Sequence, residues 1–376
     1  MRSCVFLFLT GALLLPGVFS WGGLEAQVTW RDMVVTGGLS SEGYQGNLPT
    51  VGQVVRDSTE FASAVIGEFG ARGELLAQVG ERGRANLAFD GGLRQFSARG
   101  FEQRDYAPRE LSGTLNLGYT YQPGASGLLG ARLRLRGRDV ADRPPMPLFL
   151  QPGYRAASGA IVGEILDEEG RRWDLEVQGE WADYLAPAFA PQIRLLDRRT
   201  TGIEVGVRPN WERSGDVRFH IGADLSRFPE QGTFDSSDLY RRDQALQAGA
   251  SWTWSGPFLA QLAGEARMNR SNSLRPEYDS GTVRALVAAS LPVDVAVTGY
   301  VALTGKRYRH PTDFARLIPG EEANSASQAY LSLNRALAGN LDGTVRLNWT
   351  RAETEIGGQY FQRFGVSVFL NYRPGF

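Results

Sequence analysis

Leu129-Gly-Ala-Arg-Leu-Arg-Leu-Arg136 places leucine and arginine on alternate positions. An extended strand sends successive side chains to opposite faces, so this stretch reads as a strand with one apolar face and one cationic face. Trp173-Asp-Leu-Glu-Val-Gln-Gly-Glu-Trp181 repeats the rule with acids in place of bases. Val217-Arg-Phe-His-Ile-Gly-Ala-Asp-Leu225 and Thr344-Val-Arg-Leu-Asn-Trp-Thr350 follow it again. No comparable stretch carries convincing helical spacing.

Sixteen such segments are expected near 33–46, 62–79, 84–97, 109–122, 127–139, 153–166, 171–184, 199–212, 215–228, 242–255, 257–270, 281–291, 293–307, 325–337, 341–354 and 360–373. Short turns, such as Gly80-Glu-Arg-Gly83, Pro123-Gly-Ala-Ser126 and Asp167-Glu-Glu-Gly170, alternate with longer polar loops near 47–61, 98–108, 140–152, 185–198, 229–241, 271–280 and 308–324. An even number of strands of about ten residues, joined alternately by short and long connections, predicts a closed antiparallel up-and-down transmembrane barrel. Both termini then fall at the short-turn end.

Composition narrows the possibilities. The 376 residues carry 40 basic and 41 acidic side chains, a formal net charge of -1. A nucleic-acid-binding surface would show a basic excess, so no nucleic-acid partner is expected. Cys4 is the sole cysteine, and the two histidines are His220 and His310. That excludes a disulfide scaffold, a cysteine zinc site, an iron–sulfur cluster and a cysteine nucleophile beyond the first residues. No cofactor is expected, because neither metal-ligand spacing nor a phosphate-binding glycine loop occurs. The 46 glycines, about 12% of the 376 residues, exceed the usual roughly 7%, and those on strands ease close packing and bending.

Residues 1–26 read as a cleaved export signal. Met1-Arg2 is positively charged, Val5 to Leu15 is apolar, and a region of small residues ends at Ala26. Residues 27–376 then form a single barrel domain. No later run approaches the roughly 18 apolar residues of a membrane-spanning helix.

Aromatic placement supports a membrane. On the apolar parity, Tyr119, Tyr121, Trp173, Trp211, Trp252, Trp254, Phe258 and Tyr372 lie beside short turns. Phe61, Trp181, Trp349 and Phe364 lie toward the long loops. Two aromatic girdles flanking an aliphatic belt suit a bilayer. The other parity is expected to line the lumen with Arg72, Arg94, Arg132, Arg134, Arg136, Asp174, Glu176, Glu180, Glu204, Arg208, Arg218, His220, Asp224 and Arg346. The Arg132/Arg134/Arg136 row and the Asp174/Glu176/Glu180 row stand two strands apart, about 10 Å. They read as a salt-bridge ladder on one wall, with a selectivity constriction as the alternative.

With these features the chain resembles the bacterial outer-membrane β-barrel superfamily, and in strand count its sixteen-stranded porins. Phe364-Gly-Val-Ser-Val-Phe-Leu-Asn-Tyr-Arg-Pro-Gly-Phe376 resembles the C-terminal signal read by the barrel-insertion machinery, with Phe364, Val366, Val368, Leu370, Tyr372 and Phe376 as its residues and Pro374 as a departure. The resemblance implies an outer-membrane location in a diderm bacterium, contact with membrane lipid and lipopolysaccharide, and passage of small hydrophilic solutes. A structural, adhesion or assembly barrel with an occluded lumen is the alternative. Outer-membrane acyl-ester hydrolases carry a His-x-Ser pair on one strand, but here His220 is followed by Gly222, so no enzyme is expected. His310 lies on a loop and reads as a surface residue.

Overall fold

The computed structural model describes residues 26–46, 62–99, 108–141, 152–186, 191–211, 215–233, 238–273, 277–310, 326–353 and 360–375. Sixteen strands run in chain order: β1 Ala26–Gly46, β2 Ala62–Val79, β3 Gly83–Arg99, β4 Arg109–Gly124, β5 Gly127–Ala141, β6 Tyr154–Leu166, β7 Arg172–Tyr184 and β8 Arg198–Arg208. The remainder are β9 Asp216–Gly232, β10 Tyr240–Ser255, β11 Phe258–Ser271, β12 Tyr278–Leu291, β13 Val295–Tyr308, β14 Ser327–Ala338, β15 Leu341–Glu353 and β16 Tyr360–Tyr372. Each pairs antiparallel with its sequence neighbours, and β16 closes onto β1 from Val35↔Tyr372 to Gly46↔Phe361. No edge is left unpaired, which is the condition for a sheet to sit in hydrocarbon.

The strands lie close to their expected positions, with two informative differences. β1 starts at Ala26 rather than near 33, because its register shifts between Trp30 and Asp32. The extra residue there moves the outward face from even to odd positions, which erases the alternation in sequence. β8 stops at Arg208, so Trp211 lies past its end, with its ring edge-on to Phe219 at 6.1 Å.

Period two has a physical consequence here: the apolar side chains are outside. Leu133, Leu135, Leu175, Val177, Ile221, Leu347 and Val368 are all exposed, Ile221 at 65%. A water-soluble barrel would hide these residues. Trp173, Trp181, Tyr119, Tyr121, Trp252 and Tyr372 are exposed on the same parity, while Trp254 and Trp349 are half-buried. Trp254 packs on Phe258 at 4.5 Å. At the short-turn end Asp167 fixes Trp173 by accepting its indole N–H at 3.1 Å. The Arg171 guanidinium beside Asp167, helped by the turn's N–H groups, holds that carboxyl down at about 2. Phe61 and Phe376 lie outside the described residues, as does the expected export signal apart from Ala26.

Candidate functional site: the charged lumen

The inner face of β5–β11 is held by arginine–carboxylate pairs, several of which step over a strand. Arg132 on β5 reaches Glu176 on β7 at 2.6 Å. Arg136 on β5 pairs with Glu180 on β7, which also holds Arg198 on β8 at 3.0 Å. Arg218 on β9 reaches back to Asp174 on β7 at 2.5 Å and meets Glu204 on β8 at 2.7 Å. Arg208 lies 3.9 Å from both Asp174 and Glu164. Arg267 on β11 pairs with Asp224 on β9 at 3.0 Å.

Crossing two strand spacings, about 10 Å, needs a low strand between the partners. The sequence supplies one. The inward positions of β6 opposite Arg132, Arg134 and Arg136 are Ala160, Ser158 and Ala156. On β8 the residue between Asp174 and His220 is Gly206, where a Cβ would come within 2.5 Å of an Asp174 carboxylate oxygen and 2.7 Å of Arg218 Nη2. Gly249 makes the same room for the His220 ring. Lumen-facing glycines therefore let long polar side chains lie flat along the wall.

Arg134 is exposed within the lumen, with Asn116 and Ser158 as its register neighbours. Arg72 stands opposite Asp90 and Arg346 opposite Ser332, with the Arg346 guanidinium 5.4 Å from the Tyr330 ring. Among the described residues His220 Nδ1 is buried with no hydrogen-bond partner, and its neighbours in register are Gly206 and Gly249. No serine follows it in the arrangement that hydrolase barrels use. The Arg132 and Arg136 contacts give the two rows the geometry of a salt-bridge ladder.

A second cluster surrounds Arg94, which was expected in the lumen, but its partner Glu42 went unread in the sequence. Near the long-loop end Glu42 is 3% exposed and accepts from Tyr44 Oη and Arg94 Nη2, both at 2.7 Å. Arg363 lies 3.7 Å from the same carboxylate. Arg94 also meets Glu68 at 3.4 Å and Glu110 at 3.7 Å, and Arg138 donates to Glu110 at 2.9 Å. Above it Tyr44, Ile66, Phe96 and Phe361 pack inside the barrel, with Tyr44 stacked on Phe361 at 6.2 Å. The inward parity, which the sequence leads us to expect as charged, is apolar there. At these strand ends the outward positions include Ser41, Gln95, Ser97 and Gln362 while large apolar residues point inward, so the apolar parity that marks the lipid face elsewhere is reversed. Pro191–Leu196 forms a short 3-10 helix whose Ile193 and Leu196 pack on Ala156, Ala182 and Tyr184.

Between the ladder and the opposite wall lies a lumen cavity of about 670 Å³, reaching from Arg134 on β5 to Gln328 on β14. The far wall presents Thr282, Tyr300, Thr304 and Gln328, neutral groups able to donate and accept hydrogen bonds.

The fold is a transmembrane β-barrel. No protein-family model matches the chain, and no curated protein matches it either. Among solved structures it is similar to the outer membrane protein OprD from Pseudomonas aeruginosa, with 9% identity, 95% of this chain and 98% of that chain covered, and a TM-score of 0.41. It is similar to the Pseudomonas putida toluene transporter TodX at 8% identity, over 92% of this chain and 90% of that one, with a TM-score of 0.42. A bacterial polysaccharide outer membrane secretin aligns at 9% identity, over 90% and 98%, with a TM-score of 0.41.

Proposed function

We propose that this protein is a porin-like outer-membrane channel for passive or weakly selective passage of small hydrophilic solutes. The observation that carries this reading is the polar, ion-paired lumen with its cavity of about 670 Å³, enclosed by sixteen strands whose outer face is apolar. Barrels of that strand number are wide enough to leave an aqueous path. Residues 1–26 would direct export, and the closing strand, with Phe364, Val366, Val368, Leu370 and Tyr372 on its outward parity, would be read by the insertion machinery. Lipopolysaccharide phosphates would meet Arg199 and Arg227, which stand opposite each other on β8 and β9, both exposed on the outward parity near the long loops. The role is transport, with no catalytic chemistry assigned to His220.

The buried packing of Tyr44, Ile66, Phe96 and Phe361 favours a second reading, a barrel whose lumen is closed at the long-loop end. Planar-bilayer recording of the refolded protein decides between them. Stepwise conductance in potassium chloride is expected for the channel. Insertion without conductance would overturn it and leave the occluded barrel.

A further inference from the structure

The lumen cavity is not electrically neutral. Among the described residues seven cationic side chains and four carboxylates line it, which leaves three positive charges. Three of the cations are matched one to one: Arg267 with Asp224, Arg284 with Glu265 at 3.2 Å, and Arg241 with Asp243. Arg136 and Arg198 share a single carboxylate, Glu180. Lys306 lies over the Tyr278 and Tyr308 rings, 4.3 and 4.7 Å from their centroids. Arg134 has no carboxylate within ion-pair distance among the described residues, and it is exposed to the lumen.

From this arrangement we infer that the cavity is a binding site for a small organic anion, on the reading that the lumen is a solute path. A guanidinium fork matches a carboxylate or a phosphate, and its donors are most available where no protein acid competes for them. Arg134 and the half-matched Arg136/Arg198 pair meet that condition on one side of the cavity. Thr282, Thr304 and Gln328 on the other side suit the hydroxyl or second polar end of such a solute. A cavity of about 670 Å³ falls in the size range of small-molecule sites. Walls of low dielectric concentrate the field of Arg134 and of the half-matched Arg136/Arg198 pair, which raises the local concentration of anions over cations.

Two measurements test this. In bilayers with a tenfold potassium chloride gradient, the reversal potential should have the sign of an anion-selective pore, and Arg134→Ser should move it toward zero. Calorimetry on the folded, detergent-solubilised full chain, with succinate and inorganic phosphate as separate probes, should show binding that weakens at least tenfold in Arg134→Ser. Galactose should not bind measurably. The heat-modifiable gel mobility of the folded barrel checks that the variant folds. Anion binding without conductance would overturn the channel reading and uphold the anion site. Conductance without anion preference, and no binding of either probe, would overturn the anion site and uphold the channel.

Discussion

The wall built from β5–β11 and the wall built from β13–β16 share an outer face and differ inside. Both turn leucines, valines and aromatics outward, as Leu175, Ile221, Leu331 and Val368 show. Inside, the first wall is a mesh of arginines and carboxylates. The middle of the second is Thr298, Tyr300, Gln328, Tyr330, Ser332, Asn348 and Ser367, with Arg346 the charge among them. The membrane dictates the outer face alone, so lipid constrains both walls alike. What lies inside is free to specialise, and a polar cavity between a charged wall and a hydrogen-bonding wall is the result.

The largest expected effect tests the shared outer face. Leu133→Arg places a guanidinium in hydrocarbon near the belt centre and should cost about 2–4 kcal/mol in reversible urea unfolding in lipid vesicles. Asn348→Arg on the second wall adds the same charge on the lumen side and should cost far less. Equal costs would break the division between lipid and lumen.

Next comes the inner mesh. Glu180→Ala leaves Arg136 and Arg198 without their shared carboxylate and should cost about 1–3 kcal/mol. Thr298→Ala on the second wall should stay within about 0.5 kcal/mol of the parent. If the two match, the mesh contributes nothing that the neutral wall lacks.

A comparable but smaller effect is expected of Gly206→Leu, which would push into the Asp174–Arg218 pair and cost about 1–2 kcal/mol by overpacking. Gly264→Ala, on the outward parity with open space around it, should be neutral or slightly stabilising, by about 0.5 kcal/mol. Far-ultraviolet circular dichroism against urea would read both.

The smallest effect concerns the 3-10 segment that packs on the first wall. Asp197 follows the 3-10 helix and accepts the Tyr184 N–H at 2.6 Å. Burial, with the carboxylates of Asp183 and Glu230 nearby, pushes it up to about 6 from 3.8. The folded state therefore holds this proton more tightly than the unfolded one. The resulting stabilisation is complete below about pH 3.8 and is lost as pH rises through about 6. Hydrogen-exchange protection at Ile193, corrected for intrinsic rates, should be greater at pH 4.5 than at pH 7.5. Asp197→Asn should flatten that dependence, and an unchanged dependence would place its source elsewhere.

How much of this was legible follows from what alternation reports. It reports a face, and so it located the strands wherever one face is apolar and the other polar, as along Leu129 to Arg136. It fails at Trp30–Asp32, where a bulge changes the parity, and at Ala62-Ser-Ala-Val-Ile66, where Ile66 is inside and Val65 outside. The lumen charges were visible as a parity, but their partners were not. Arg218 could have faced Glu176 or Asp174, and the choice depends on register and on Gly206 clearing the path. Glu42 was missed because Ser40-Ser-Glu-Gly-Tyr44 has no outward leucine or valine to mark its phase.

The central claim is that adjacent residues of one strand face lipid and water in turn. With Cys4 replaced, the chain has no other cysteine, so single cysteines can be placed along β9 from Val217 to Ser226. Each would be labelled in vesicles with a membrane-impermeant maleimide, and with a fluorophore quenched by nitroxide lipids. The account predicts strict alternation: positions 217, 219, 221 and 225 quenched by lipid, and 218, 220, 224 and 226 labelled from water. A uniform response along the strand would contradict it.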